Sequence, residues 1–246
     1  DPCRFVCRYL VDTGAGGLFA AGPPVIRFQQ VSKRYPNGSV VARDVTADLP
    51  GNRCIALLGR NGAGKSSLLR IIAGSLRPDR GRISITGQVS WPVGFQGSFH
   101  PDLSGAQNVR FVGRIYGVDT DELLDFAMGF AALGRQIHHP VRTYSTGMKA
   151  RLAFAVSMGI RFDTYLVDEV VSVGDAAFRE KSEAVLIDRM STSGTVVVSH
   201  SMPMLQRLCT AGAVLEGGNL TYYPNLNEAI LVHERNLRTE PEPEGA

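Results

Sequence analysis

The stretch "GRNGAGKSS", from Gly59 to Ser67, fits the pattern G-x-x-x-x-G-K-[ST], with Gly59, Gly64, Lys65 and Ser66 in the fixed places. Glycines let the backbone wrap until successive N–H groups point at phosphate oxygens. A helix starting there adds the positive end of its dipole. Residues Gly59, Arg60, Asn61, Gly62, Ala63, Gly64, Lys65, Ser66 and Ser67 form the expected cradle. Lys65 would reach the outer phosphates of a nucleoside triphosphate, and the Ser66 hydroxyl would ligate Mg2+. Two more groups suit the same chemistry. Asp168 and Glu169 end the apolar run "TYLVDE", and His200 ends "TVVVSH". Asp168 can hold Mg2+ directly or through water, and Glu169 can take a proton from attacking water. His200 can bond the terminal phosphate and place that water.

A different stretch, "YSTGMKARLAFAVSM" from Tyr144 to Met158, puts a hydroxyl and a glycine just before a helical run. By itself it reads either as a helix cap or as half of a site completed by another molecule.

These residues need an α/β scaffold, and the sequence supplies one. "CIALLG" is a short apolar strand, followed by the glycine-rich turn and the helix "KSSLLRIIAG", which Gly74 ends. Upstream, "VIRFQQVSKRY" and "VVARDVTADLP" read as strands around the turn "PNG". "GRISITG" and "QVSWPVG" are further strands. Three helical stretches follow between Pro101 and Ile160. Then come the strands around "TYLVD" and "TVVV", a helix at "MPMLQRLC", a hairpin at "AGAVLEGGNLTYY" and the amphipathic helix "LNEAILVHERNL". Ligands in parallel sheets bind at the carboxyl ends of the strands, where Asp168, Glu169 and His200 fall.

Composition narrows the class. The chain has 246 residues, 44% of them hydrophobic and 20% charged, enough for a substantial core. A net charge of +3, spread along the chain, does not support nucleic-acid binding. No apolar run approaches the roughly 20 residues of a membrane-spanning helix. Cys3, Cys7, Cys54 and Cys209 complete no zinc pattern and fit a reducing cytoplasm. Residues 1–24 start at Asp1, and their "GAGGLFAAGPP" suggests a poorly ordered extension or an upstream translation artefact, with a signal peptide as the alternative. The tail 237–246, with Glu240, Glu242 and Glu244 spaced by Pro241 and Pro243, reads as disordered.

Together, the cradle, the Asp168–Glu169 pair and His200, in that order, resemble the ATP-binding subunit of an ABC transporter. The resemblance covers Val25 to the last helix. It implies an α/β fold of P-loop NTPase type. A RecA-like core would carry an N-terminal antiparallel β subdomain and a helical subdomain inserted at about 100–160, within a domain spanning 25–236. It implies ATP and Mg2+ as cofactors and ATP hydrolysis as the activity, with Glu169, His200 and Lys65 catalytic. "YSTGM" occupies the place of the family signature L-S-G-G-Q. Ser145 and Gly147 match it, while Tyr144, Thr146 and Met148 depart. In the family these two residues meet the γ-phosphate held by an opposing subunit. Tyr35 matches the aromatic that stacks on adenine. In "SVGD", Asp175 matches the family's S-A-L-D loop. Gln96 and His100 compete for the loop glutamine that senses the metal.

The runs "DLSGAQNVRFVGRIYG", "YLVDEVVSVGDAAFREK" and "VVSHSMPML" resemble the capsular polysaccharide export ATPases more narrowly. Relatives for O-antigen or teichoic acid are the alternative cargo. The short chain after the hairpin favours the capsule type over the O-antigen form that carries an extra carbohydrate-binding domain. A non-transport ABC ATPase and a nucleotide-binding protein without turnover are the competing classes. One cradle, no heptad array, and the presence of Glu169 and His200 argue against them. The implied partners are a second ATPase copy, two copies of an integral membrane permease and a polysaccharide co-polymerase. The implied location is the cytoplasmic face of the bacterial inner membrane.

Overall fold

The computed structural model describes residues 25–94, 99–169 and 175–238. The expectations for 1–24, for Gln96, for residues 172–174 of "SVGD" and for the tail beyond Arg238 lie outside these residues; Leu237 and Arg238, expected in the tail, instead end the last helix.

Two sheets share the chain. β1 (Val25–Arg34), β2 (Val40–Pro50) and β4 (Arg80–Thr86) form an antiparallel sheet in the order β2-β1-β4. The β1–β2 hairpin turns through Pro36, Asn37 and Gly38, and Tyr35 N–H bonds the Ser39 carbonyl at 2.9 Å. Alternate residues of β1 point inward, which buries Ile26 and Phe28 and leaves Arg27 outside. Ile26, Phe28, Val31 and Leu49 pack with Leu57, Leu68, Leu69 and Ile72. This apolar layer joins the small sheet to the main one.

The main sheet adds β3 (Cys54–Leu58), β5 (Val89–Pro92), β6 (Thr164–Asp168), β7 (Gly194–Val198), β8 (Ala211–Glu216) and β9 (Asn219–Tyr223). Its order is β5-β6-β7-β3-β8-β9, parallel except for β9. β3 and β7 are buried along their whole length. Their unbroken apolar runs follow from layers covering both faces.

The helices are α1 (Lys65–Ile72), α2 (Gly105–Tyr116), α3 (Thr120–Ala131), α4 (Thr146–Gly159), α5 (Ala176–Thr192), α6 (Met202–Leu208) and α7 (Leu226–Arg238). The segment expected as an inserted helical unit contains α2, α3 and α4. α2 opens with a capping box, in which Ser104 and Gln107 each bond the other's backbone N–H. Asp119 caps α3 by accepting from the N–H groups of Asp121 and Glu122. Phe130 of α3 stacks on Phe154 of α4, with ring centroids 5.6 Å apart, and meets Phe178 of α5 edge-on at 5.5 Å. These rings tie the inserted helices to α5. The fold expected from the sequence is therefore observed: an α/β core, an antiparallel β unit and a helical insertion.

Candidate functional site

The parallel order β6-β7-β3 brings three strand ends to one edge. Residues 59–64 leave β3 and enter α1. Asp168 ends β6, opposite Val198 of β7. Glu169 N–H bonds the Val198 carbonyl at 2.9 Å, so the two chain turns after β6 and β7 lie side by side.

The cradle geometry explains its glycines. Gly62 and Gly64 have φ of 83° and 96°, in the left-handed region. A Cβ on Gly64 would meet Val41 Cγ1 at 3.0 Å, and one on Gly59 would meet the Leu215 carbonyl oxygen at 2.5 Å. No side chain caps α1, and its first turn holds no acidic residue. The first N–H groups of a helix have no intrahelical partner, so this start suits an anion. Lys65 Nζ folds across the loop and donates to the carbonyls of Gly59 (2.7 Å) and Arg60 (2.9 Å). Burial pushes the Lys65 ammonium below its ordinary pKa, opposed by the charges of Asp168 and Glu169.

Ser66 Oγ donates to Asp168 Oδ1 at 3.1 Å. A hydroxyl and a carboxylate oxygen at this spacing fit Mg2+, which commonly keeps waters and takes few protein ligands beside substrate phosphates. His200 Nε2 lies 2.9 Å from Glu169 Oε1, with both side chains mostly exposed. Glu169 has φ of 53°, a left-handed conformation unusual for a side chain of its size. Lys65, Ser66, Asp168, Glu169 and His200 are thus gathered at one edge. Tyr35 stands beside them, its hydroxyl 3.0 Å from Ser67 Oγ.

Other expected residues are placed elsewhere. His100 makes its polar contacts within its own loop and with Asn108 of α2. Its N–H donates to Asn108 Oδ1 at 2.8 Å, and its Nδ1 accepts from Asp102 N–H at 3.3 Å. Asp175 caps α5 through Phe178 N–H at 2.9 Å and pairs with Arg151 of α4 at 2.8 Å. The backbone bond from Phe178, then Arg151, holds its carboxyl below the usual range. Ser145 caps α4, accepting from Met148 N–H at 3.2 Å, at an exposed helix start. Among the described residues, a Cβ on Gly147 would meet nothing nearer than Ser145 Oγ at 3.9 Å.

Sequence reasoning missed several residues, and for Arg60 it missed the contacts. Tyr144, noted only as a departure from the signature, is buried, and its hydroxyl donates to the Gln136 carbonyl at 2.7 Å. It anchors the turn that presents Ser145. Arg60 Nε donates to Glu216 Oε1 at 3.1 Å, and its guanidinium also donates to the Asn236 carbonyl. His233 and Leu237 of α7 line a cavity of about 250 Å3 together with Gly59, Lys65 and His200. The sequence did hold a signal. Leu226, Ala229, Ile230 and His233 fall on one helical stripe, so the histidine stands where an apolar residue is expected.

The profile of the ABC transporter family matches residues 42–172, which include the cradle, the Ser145 turn and the Asp168–Glu169 strand end. The chain belongs to the ABC transporter family. It is 40% identical over 208 residues to the capsule polysaccharide export ATP-binding protein CtrD of Neisseria meningitidis serogroup B, covering 83% of this chain and 96% of that one. It is 41% identical over 212 residues to the polysialic acid transport ATP-binding protein KpsT of Escherichia coli, covering 84% and 95%. Among solved structures, the ATP-binding subunit of an ABC transporter matches with a TM-score of 0.68 at 22% identity, covering 88% of this chain and 95% of that one. That last likeness concerns the fold. As a member of this family the chain is an ATP-binding ATPase coupled to transport.

Proposed function

We propose that this chain powers the export of capsular polysaccharide across the bacterial inner membrane by hydrolysing ATP at the β6-β7-β3 edge. One observation carries the chemical part: Lys65, the Ser66–Asp168 pair and the Glu169–His200 pair meet at that edge. Likeness to capsule and polysialic acid export ATPases over more than four-fifths of the chain supports the cargo.

In this reading the glycine-rich loop and the start of α1 orient the triphosphate. Lys65 exchanges its two carbonyl contacts for phosphate oxygens. Its partly buried position reduces solvent screening of that attraction. Ser66 and Asp168 would hold Mg2+, which would neutralise charge on the phosphates. Glu169 accepts a proton from water, whose oxygen bonds to phosphorus as the bond to ADP breaks. His200 holds the Glu169 carboxylate in place and faces the terminal phosphate. Tyr35 packs against the base.

Ser145 and Gly147, exposed at the start of α4, meet the phosphate on a second copy, so two copies associate head to tail. Asp175 links that helix to the dimer seam through Arg151. The helical insertion docks on a membrane permease, present in two copies, with a polysaccharide co-polymerase completing the exporter. Among the described residues no helix is long and apolar enough to cross a membrane. In this reading the subunit acts from the cytoplasmic face through those partners.

The test is complementation. In a capsulated strain lacking this gene, the wild-type chain should restore surface polymer, while Lys65→Ala should leave lipid-linked polymer inside. Surface capsule at the wild-type level with Lys65→Ala would remove ATP hydrolysis at this edge from export.

A further inference from the structure

The C-terminal helix forms one wall of the cavity beside the cradle, and the hydrolytic scheme above makes no use of it. α7 packs along β8, β3 and β9. Near its end the Asn236 carbonyl accepts from Arg60, and Arg60 also pairs with Glu216 at the end of β8. His233 and Leu237 line the cavity from α7, Gly59 and Lys65 from the cradle, and His200 from the turn after β7.

Among the described residues, two buried polar atoms on α7 and β8 have no hydrogen-bond partner: His233 Nδ1, at the cavity, and Glu216 Oε2. His233 is 9% exposed. Buried polar atoms are nearly always paired, so an unpaired atom on each of two packed elements calls for a partner: a proton, a water or a ligand. The charged groups that act on the ring come from α1, the cradle loop, β8 and α7 itself. Lys65 of α1 and Arg60 of the loop oppose a positive ring, while Glu216 of β8 and Glu234 of α7 favour one. His200 shares the cavity. Burial is the largest influence and Lys65 the next, and both hold His233 below its ordinary pKa. A nucleoside polyphosphate on Lys65 would reverse this second influence by adding negative charge at the cavity.

We propose that His233 is a nucleotide-responsive positioning residue: a polyphosphate at Lys65 favours its protonated ring, which then pairs with Glu216 and holds α7 against the Gly59–Gly64 loop. The proton comes from solvent and returns to it when the nucleotide leaves. This rests on the reading of residues 59–67 as the phosphate site. Linkage fixes the sign. A ligand that favours a protonated group takes up protons on binding, so affinity is highest at low pH and falls as pH rises through the titration of the liganded ring.

The probe is ADP with Mg2+, and the readout is 15N imidazole NMR of the full chain, which separates His233 from His200. The His233 midpoint should rise by about one pH unit or more when ADP binds. Calorimetry of the wild-type chain in buffers of different ionisation heat should show proton uptake, and His233→Gln should flatten the pH dependence of ADP affinity. ADP binding with an unmoved His233 midpoint, or an affinity loss in His233→Gln that is equal at every pH, would overturn the proposal. Should His233→Gln not fold, absence of proton uptake by the wild-type chain would overturn it equally. Failure of ADP to bind at any pH between 6 and 8 would instead overturn the phosphate site itself, and this inference with it.

Discussion

His200 Nε2 lies 2.9 Å from Glu169 Oε1, joining the turns that follow two neighbouring parallel strands. The contact is made while Glu169 holds a left-handed backbone conformation at φ 53°. A strained carboxylate fixed by an imidazole at a strand edge is an arrangement suited to placing a water molecule, and it forms the centre of the proposed mechanism.

Glu169→Gln should retain ATP binding while its turnover drops on the order of 10²–10⁴-fold, the usual worth of a general base. His200→Ala should also slow turnover. Because the two side chains touch, the double variant should lose much less than the product of the single losses. Steady-state hydrolysis with a separate binding assay checks this. Multiplicative losses would mean the two residues act independently.

Gly64→Ala should lose stability on two counts. Its φ of 96° is unfavourable for alanine, and the new methyl would press on Val41 Cγ1 at 3.0 Å. The expected destabilisation is about 1–3 kcal/mol. Thermal unfolding compared with Gly38→Ala separates the causes, since Gly38 has a similar φ of 90° but open space around it. Gly64→Ala should fall further, and equal losses would discount the contact with Val41.

Asp175 should give a pH-dependent share of stability. Its folded carboxyl is held low by Phe178 N–H and then by Arg151. A depressed acid contributes fully above its unfolded pKa of about 3.9, and that contribution disappears as pH falls through the lower folded value. Asp175→Asn should therefore melt below wild type at pH 6, with the gap closing below about pH 4. A gap constant with pH would assign the cap to geometry rather than charge.

How far the sequence disclosed this depends on the reach of each contact. The cradle was legible because its chemistry lies in one contiguous run with a strand before and a helix after. Asp168 and Glu169 were legible because they end an apolar run. The Glu169–His200 contact was not, since it depends on the register of β6 on β7. The bond from Arg60 to Asn236 spans 176 residues of sequence and comes from packing of α7 on the sheet, which no local pattern encodes. His100 was named only through the family resemblance, as a candidate for the loop glutamine, and no local pattern gives its contacts. The structure adds that its neighbour Asn108 is buried and bonds the backbone on both sides of it. Tyr144 looked like a deviation from a signature because sequence shows its identity and not its burial.

The head-to-tail dimer predicts complementation between two defective chains. Lys65→Ala removes the cradle cation, and Ser145→Arg blocks the opposing surface. Mixed dimers contain one site in which both residues are intact. ATP-dependent dimerisation and hydrolysis should therefore be recovered on mixing. Full-rate hydrolysis by a preparation held monomeric would contradict the shared site.

The most direct measurement is ATP-driven polymer movement into inverted inner-membrane vesicles that carry the complete exporter. With the wild-type chain, ATP should drive labelled lipid-linked polysaccharide into the lumen. With Glu169→Gln, nucleotide should bind while sustained movement is lost. Equal polymer movement with the two chains would contradict the claim that hydrolysis at this strand edge powers export.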